Sequence, residues 1–312
     1  MIDFKHVTKI YDQHKVLNNL SLTIAKHELF VLVGPSGSGK TTLLKMVNRL
    51  NTPTSGEIIV NGQRVSQIDD VQQFRRHIGY VLQAGALFPN LNVAENAAIQ
   101  LEALHWPPQK QHQRIAELLQ QVGLDPKAFM QRYPHELSGG EAQRIGIVRA
   151  LAAKPDIILM DEPFSALDPL SREQLQELVL QLHQQLQMTI IFVTHDMEEA
   201  VKLADRLAVI YQGELQQVGT PDEILAQPVN SFVHDFFQSL ERKQLYLQQV
   251  LAAGWGTPTE TGTALEFAPT KTVADWAQLL AEHPHQNIKV NNLILKPQDL
   301  LQYVAHLKPG RK

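Results

Sequence analysis

The chain has 312 residues, 44% of them hydrophobic, with 28 Lys+Arg against 32 Asp+Glu and a net charge of −4. That length predicts one large or two modest domains with enough apolar residues for a packed core, and the charge balance lacks the basic excess usual in a nucleic-acid binder, so no nucleic-acid partner is expected. No cysteine is present, which excludes disulfides and thiolate metal sites and suits a reducing compartment.

Taken in chain order, residues 2–30 alternate apolar and polar around a loop at Tyr11–Lys15, a strand pattern. Leu29–Val33 is a continuous apolar run, as expected of a strand buried on both faces. A glycine-rich loop follows, then a helical spacing of Leu43, Leu44, Val47 and Leu50. Pro53–Gly56 reads as a turn into a strand at 57–60, and Asn61-Gly62 as a hairpin turn. Residues 94–122 read as helix interrupted at Pro107-Pro108. Helix is expected again over 141–152, 170–186 and 197–204, with buried strands at Ile157–Met160 and Thr189–Val193. A hairpin over 208–218 turns at Gln212-Gly213, and a short helix follows Thr220-Pro221. Strands alternating with helices predict an α/β fold with a mostly parallel sheet. The pattern breaks near Leu240, and residues 254–263 have linker composition. Beyond lie helices at Val273–Glu282 and Pro297–Leu307 around strands at Ile288–Val290 and Leu293–Leu295. The expected division is a domain over 1–240 and a small module over 241–312. Met1–His6 lacks an apolar signal core, and no run approaches the roughly 18–20 apolar residues of a membrane span. Work at a membrane is therefore expected only through other subunits.

The polar motifs fall at the C-terminal ends of the buried strands, where open α/β sheets bind ligands. Gly34, Pro35, Ser36, Gly37, Ser38, Gly39, Lys40 and Thr41, with Thr42 next, form a phosphate cradle between strand and helix. Glycines let backbone N–H groups turn toward an anion at a helix N-terminus. Lys40 reaches the terminal phosphates of ATP, and the Thr41 hydroxyl is a Mg²⁺ ligand. Asp161 and Glu162 end the 157–160 run: one carboxylate suits Mg²⁺, the next suits a general base. His195, between Thr194 and Asp196 at another strand end, is placed to touch a γ-phosphate and to orient Glu162. Gln83, after a short strand at Gly79–Leu82, is a neutral amide able to ligate Mg²⁺ or orient water. Ser138-Gly139-Gly140 is a helix N-cap or a second anion site. One nucleotide does not need two cradles in one subunit. A head-to-tail dimer uses both, the second loop capping the phosphate held by the partner's first.

Together these residues resemble the ATP-binding subunit of an ABC transporter over about residues 1–240. Gly34–Thr41 resembles its Walker A loop, Gln83 its Q-loop residue, Leu137–Glu141 its signature loop and Ile157–Glu162 its Walker B strand. Ser165–Asp168 resembles the D-loop, with Asp168 near the nucleotide, and His195 the switch histidine. Tyr11 sits where the family places an aromatic against adenine. The resemblance implies a P-loop NTPase core with antiparallel β and helical subdomains, ATP and Mg²⁺ as cofactors, and a homodimer. It also implies membrane permease subunits, a solute-binding protein reached through them, and a peripheral place on the cytoplasmic face of the membrane. Met46–Leu50, Pro53–Glu57, Phe74–Gln83, Leu87–Pro89, Val93–Asn96 and Arg132–Leu137 resemble bacterial importers of quaternary amines such as glycine betaine, carnitine and choline. An exporter, or an importer of amino acids, is the competing reading.

The chain departs from that pattern in two places. Glu141 stands where many relatives have Gln. Ala264–Leu307 resembles one shortened CBS-type unit where such ATPases often carry two, with Asn291-Asn292 replacing a longer hairpin. It is either completed by a second subunit or only packs. A translation or repair ATPase needs two ATPase halves or a coiled-coil insertion, and neither is present. A regulator with a dead site conflicts with Lys40, Asp161, Glu162 and His195.

Overall fold

In a computed structural model of the chain, which describes residues 1–82, 86–241, 247–258, 264–269 and 271–307, the first alternating stretch folds as an antiparallel hairpin. It consists of β1 (Ile2–Tyr11) and β2 (His14–Ile24). Ile2, Phe4, Leu20, Leu22 and Ile24 are buried while their neighbours face water, as a period of two requires. The chain then enters β3 (Leu29–Val33), buried at every position. It passes through helix α1 (Lys40–Val47) and rejoins the hairpin as β4 (Ser55–Val60) and β5 (Gln63–Arg64). The order of this first sheet is β2-β1-β4-β5.

The second sheet has the order β10-β9-β3-β8-β7-β6. Its further strands are β6 (Ile78–Val81), β7 (Ile157–Asp161), β8 (Thr189–Thr194), β9 (Arg206–Tyr211) and β10 (Glu214–Gly219). All neighbours run parallel except the β9–β10 hairpin, and the central strands are apolar on both sides because both faces are covered. A shared core between the two sheets takes in Ile2, Phe4, Phe30, Leu32, Leu159, Ile191 and Val193, with Leu43, Leu44, Met46 and Val47 of α1. An eight-residue helix is too short to be stable alone. Each of those four side chains adds roughly 1.5–3 kcal/mol by burial, so packing rather than propensity fixes α1 and the loop before it.

The remaining helices of this part are α2 (Val71–Arg76), α3 (Val93–Ala103), α4 (Pro108–Gln121), α5 (Pro126–Phe129), α6 (Gly139–Leu151), α7 (Pro169–Leu186) and α8 (Met197–Leu203). Helices α3, α4 and α6 pack on one another, and α6 also lies against β6 and α7. Pro108 begins α4 instead of interrupting a helix, because a proline at the first helical position gives up no hydrogen bond. Helix α2 has no apolar stripe to announce it. It is capped by Asp70, which accepts from the Gln73 N–H at 2.9 Å.

Contacts group Met1–Pro221 as one unit and Asp222–Lys312 as another. The grouping changes ahead of residue 240. Most of α9 (Pro221–Ala226) and all of α10 (Ser231–Glu241) go with the second unit. The second unit also holds α11 (Leu247–Ala252), β11 (Thr257–Pro258), β12 (Leu265–Phe267), α12 (Val273–Glu282), β13 (Ile288–Val290), β14 (Leu293–Leu295) and α13 (Pro297–Leu307). Its sheet has the order β11-β14-β13-β12, and fully buried Trp276 sits among Leu247, Val250, Val290 and Leu295. Among the described residues no helix is long and apolar enough to cross a membrane.

Candidate nucleotide site

Parallel register brings the polar strand ends together. Val33 stands opposite Thr194 and Asp161 opposite Val193, so the residues that follow β3, β7 and β8 emerge side by side. The loop after β3 turns on glycines that nothing larger can replace. Gly34 has φ 153° and Gly39 φ 100°. A Cβ on Gly34 would run into the Ile210 carbonyl of β9, and one on Gly39 would lie 2.7 Å from Leu17 Cδ2 and 2.8 Å from the Val16 carbonyl. Gly39 is also the N-cap of α1 and offers no side-chain cap, so the first N–H groups of the helix open into the loop. Lys40, only 5% exposed, donates to the Gly34 carbonyl at 2.7 Å and the Pro35 carbonyl at 2.8 Å, with Ser38 Oγ at 3.4 Å. Burial pushes its pKa down, opposed by the charges of Glu162 and Asp161. Neutral carbonyls are weak partners for a buried ammonium compared with an anion.

Thr41 Oγ1 donates to Asp161 Oδ1 at 2.7 Å, and the Tyr80 hydroxyl to Asp161 Oδ2 at 3.4 Å. Burial and the Asp161 charge raise the Tyr80 pKa above its ordinary value, so the phenol stays a donor. The next residue, Glu162, has φ 45°, an uncommon conformation for a non-glycine residue that clusters at functional sites. It is held by its own N–H to the Val193 carbonyl at 3.1 Å and by Ser165 Oγ donating to its carbonyl at 3.0 Å. The turn aims its carboxylate at His195, with Nδ1 3.2 Å from Oε1.

Around His195 lies a second polar group. Thr194 Oγ1 accepts from the Asp196 N–H at 2.9 Å and donates to Glu199 Oε2 at 2.7 Å. Asp196 caps α8. Arg172 of α7 faces both acids, at 3.8 Å from Asp196 and 3.9 Å from Glu199, and donates to the Leu167 carbonyl at 3.3 Å. Burial raises the pKa of Glu199, partly offset by the Thr194 hydrogen bond.

Ser138 and Glu141 form a capping box at the start of α6, the Ser138 N–H donating to Glu141 at 2.7 Å and the Glu141 N–H to Ser138 Oγ at 3.3 Å. Serine followed three residues on by glutamate is the signature of such a box, and it gives the acid a role. A Cβ on Gly140 would touch Ser171 at 3.4 Å, so the loop abuts the start of α7, which Asp168 caps by accepting from the Ser171 N–H at 3.1 Å. Tyr11 is exposed at the hairpin tip with the Lys9 ammonium 4.5 Å from its ring centre. Among the described residues no hydrogen bond or ion pair joins Tyr11, Ser138 or Asp168 to Lys40, Thr41, Asp161, Glu162 and His195, which do converge. Gln83 lies outside the described residues.

A family model described as ABC transporter matches residues 17–165. The glycine betaine uptake system ATP-binding protein YehX of Escherichia coli is 39% identical over 97% of this chain and 98% of its own length. The chain belongs to the ABC transporter ATP-binding family. The cassette is also 50% identical, over 76% of its residues, to the glycine betaine/carnitine/choline transport ATP-binding protein OpuCA of Bacillus subtilis, of whose length it spans 62%. The osmoprotectant import ATP-binding protein OsmV of Salmonella typhimurium is 41% identical over 93% of the cassette chain and 76% of its own. Among solved structures, a dimeric post-hydrolysis state of the ATP-binding cassette MJ0796 bound to ADP and Pi is 33% identical, with a TM-score of 0.65. It covers 71% of this chain and 99% of its own. The fold is thus that of a P-loop ATP-binding cassette. Sequence reasoning missed Tyr80, Arg172, Glu199 and Gln143, whose amide donates to the Leu82 carbonyl at 3.4 Å. Tyr80 and Arg172 meet acids distant in sequence, Glu199 is buried beside Thr194, and Gln143 lies on the buried face of α6.

Proposed function

We propose that this cassette is the ATP-hydrolysing subunit of a bacterial importer, working as a homodimer on the cytoplasmic face of the membrane beneath separate permease subunits. Its solute is a quaternary-amine osmoprotectant of the glycine betaine, carnitine and choline type. The observation that carries the reading is the convergence of Lys40, the Thr41–Asp161 contact at 2.7 Å and the Glu162–His195 contact at 3.2 Å on three adjacent strand ends. Backbone N–H groups of Gly34–Thr41, with Thr42 after them, cradle the phosphates. Lys40 exchanges its carbonyl acceptors for phosphate oxygens, a charge-assisted bond of greater strength. Thr41 and Asp161 supply hydroxyl and carboxylate oxygens, the hard donors that suit Mg²⁺. The substrate phosphates would supply further ligands to the ion. When bound, that ion neutralises phosphate charge. Glu162 draws the proton from the attacking water, and His195 orients that carboxylate and stabilises charge at the γ-phosphate. Ser138, Gly139 and Gly140 serve the nucleotide of the partner copy, Asp168 lies at that junction, Tyr11 stacks on adenine, and Gln83 ligates Mg²⁺ or orients water. The dimer is supported by the dimeric state of the solved relative, and the solute by the names of relatives at 39–50% identity.

Two measurements test this. Glu162→Gln should bind ATP and accumulate as a dimer on size exclusion, with turnover lowered at least about 100-fold. Wild-type turnover would remove Glu162 as the base. The cassette reconstituted with its permease and binding protein should hydrolyse ATP faster with glycine betaine, carnitine or choline. Stimulation by an amino acid alone would reassign the solute.

A further inference from the structure

Glu199 is 6% exposed, and a carboxylate buried to that degree is costly unless it is paired and hydrogen-bonded. One oxygen takes the hydroxyl of Thr194 at 2.7 Å, the residue before His195. The other faces Arg172 Nε at 3.9 Å, and the same guanidinium faces Asp196, the residue after His195, at 3.8 Å. The third arm of Arg172 donates to the Leu167 carbonyl at 3.3 Å, next to Asp168. His195 is therefore flanked on both sides by residues tied to one charge pair, and that pair is tied to the loop opening α7. Arg172 Nε is buried without a hydrogen-bond partner and stands just beyond bonding reach of Glu199, so closer approach of α7 and α8 is favourable.

We infer that Arg172 and Glu199 are positioning residues that set His195 against Glu162 and tie the His195 turn to the Leu167–Asp168 loop. The inference rests on the proposed roles of His195 and Glu162. Neither Arg172 nor Glu199 touches substrate in it. A pair that served stability alone would lower turnover through loss of folded protein. A positioning pair acts through His195 and has no further effect once that ring is gone.

A double-mutant cycle on the full-length chain distinguishes the two. At saturating Mg-ATP, Glu199→Ala and Arg172→Ala should each lower kcat about 10-fold and shift KM for ATP less than about 2-fold, and in a His195→Ala background the same changes should cost less than about 2-fold. Arg172→Lys keeps the charge and should restore part of the loss. Where Glu199→Ala does not fold, Glu199→Gln keeps the volume and an acceptor for Thr194 and enters the same cycle, with an expected loss of about 3-fold. Equal losses in both backgrounds, or wild-type kcat in the single variants, overturn the inference while leaving His195 in its role. Wild-type turnover of His195→Ala alone overturns the His195 assignment, and the inference with it.

Discussion

In the proposed site, Lys40 and the glycines around it would make one loop selective for phosphate. The ammonium is buried, its pKa is pulled down by that burial, and it is satisfied by carbonyls of its own loop. An anion offers it a better partner without any rearrangement of α1, whose apolar face is locked in the core. The same loop separates two kinds of glycine. Gly37 has φ 78° with open space around it, whereas Gly34 has φ 153° and the Ile210 carbonyl against it. Gly34→Ala should therefore displace the loop, weaken ATP binding by about 10-fold or more and lower stability by about 1–3 kcal/mol. Gly37→Ala should cost only the roughly 1–2 kcal/mol of its positive φ. Nucleotide titration and thermal melts of the two variants check the order. Glu162 carries a similar strain at φ 45°, and two hydrogen bonds to its backbone hold it there. That arrangement brings the carboxylate to His195.

At the scale of elements, helix termini organise the site. Asp168 caps α7, and hydrogen bonds from Ser171 hold its carboxyl below the ordinary 3.8. A carboxylate whose pKa is depressed by folding stabilises the fold above its unfolded pKa, and that contribution is lost as pH falls through the folded value. The melting-temperature gap between wild type and Asp168→Ala should be full at neutral pH and close as the pH drops below 3.8. A gap that persists in acid would mean that the cap acts through something other than its charge. Asn96 does comparable work inside α3. It is fully buried and gathers the Phe88, Leu91 and Asn92 carbonyls at 3.1, 2.9 and 3.1 Å, while its own carbonyl takes the Phe88 N–H at 2.8 Å. Asn96→Ala strands those groups and should destabilise the cassette by about 2–4 kcal/mol in denaturant titration. The element pattern itself was readable from periodicity for β3, β7, β8, α7, α12 and α13, because each has an uninterrupted apolar run or a clear stripe. Helix α2 was not, since it buries no residue. The box of Ser138 and Glu141 is written in the sequence as Ser-x-x-Glu, although only the serine is read as a cap there.

At the scale of the whole molecule, the residues proposed to hold the nucleotide all fall within Met1–Pro221, and the solved relative covers 71% of this chain with 99% of its own. Deleting residues 241–312 should therefore leave ATP binding and basal hydrolysis within about 3-fold of the full chain, with the truncated protein still melting cooperatively. A truncated protein that fails to bind ATP would place the functional boundary elsewhere. By itself the sequence determined the chemistry on offer. Glycine spacing, a lysine, paired carboxylates and a histidine at strand ends are local features, and local features are written in consecutive residues. Tertiary structure alone decided which of them meet. The register of β3, β8 and β7 set Thr41 on Asp161 and Glu162 on His195. The packing of α7 against the residues after β8 joined Arg172 to Asp196 and Glu199. Such pairings depend on strand order and helix approach, and these are properties of the folded chain rather than of any stretch within it.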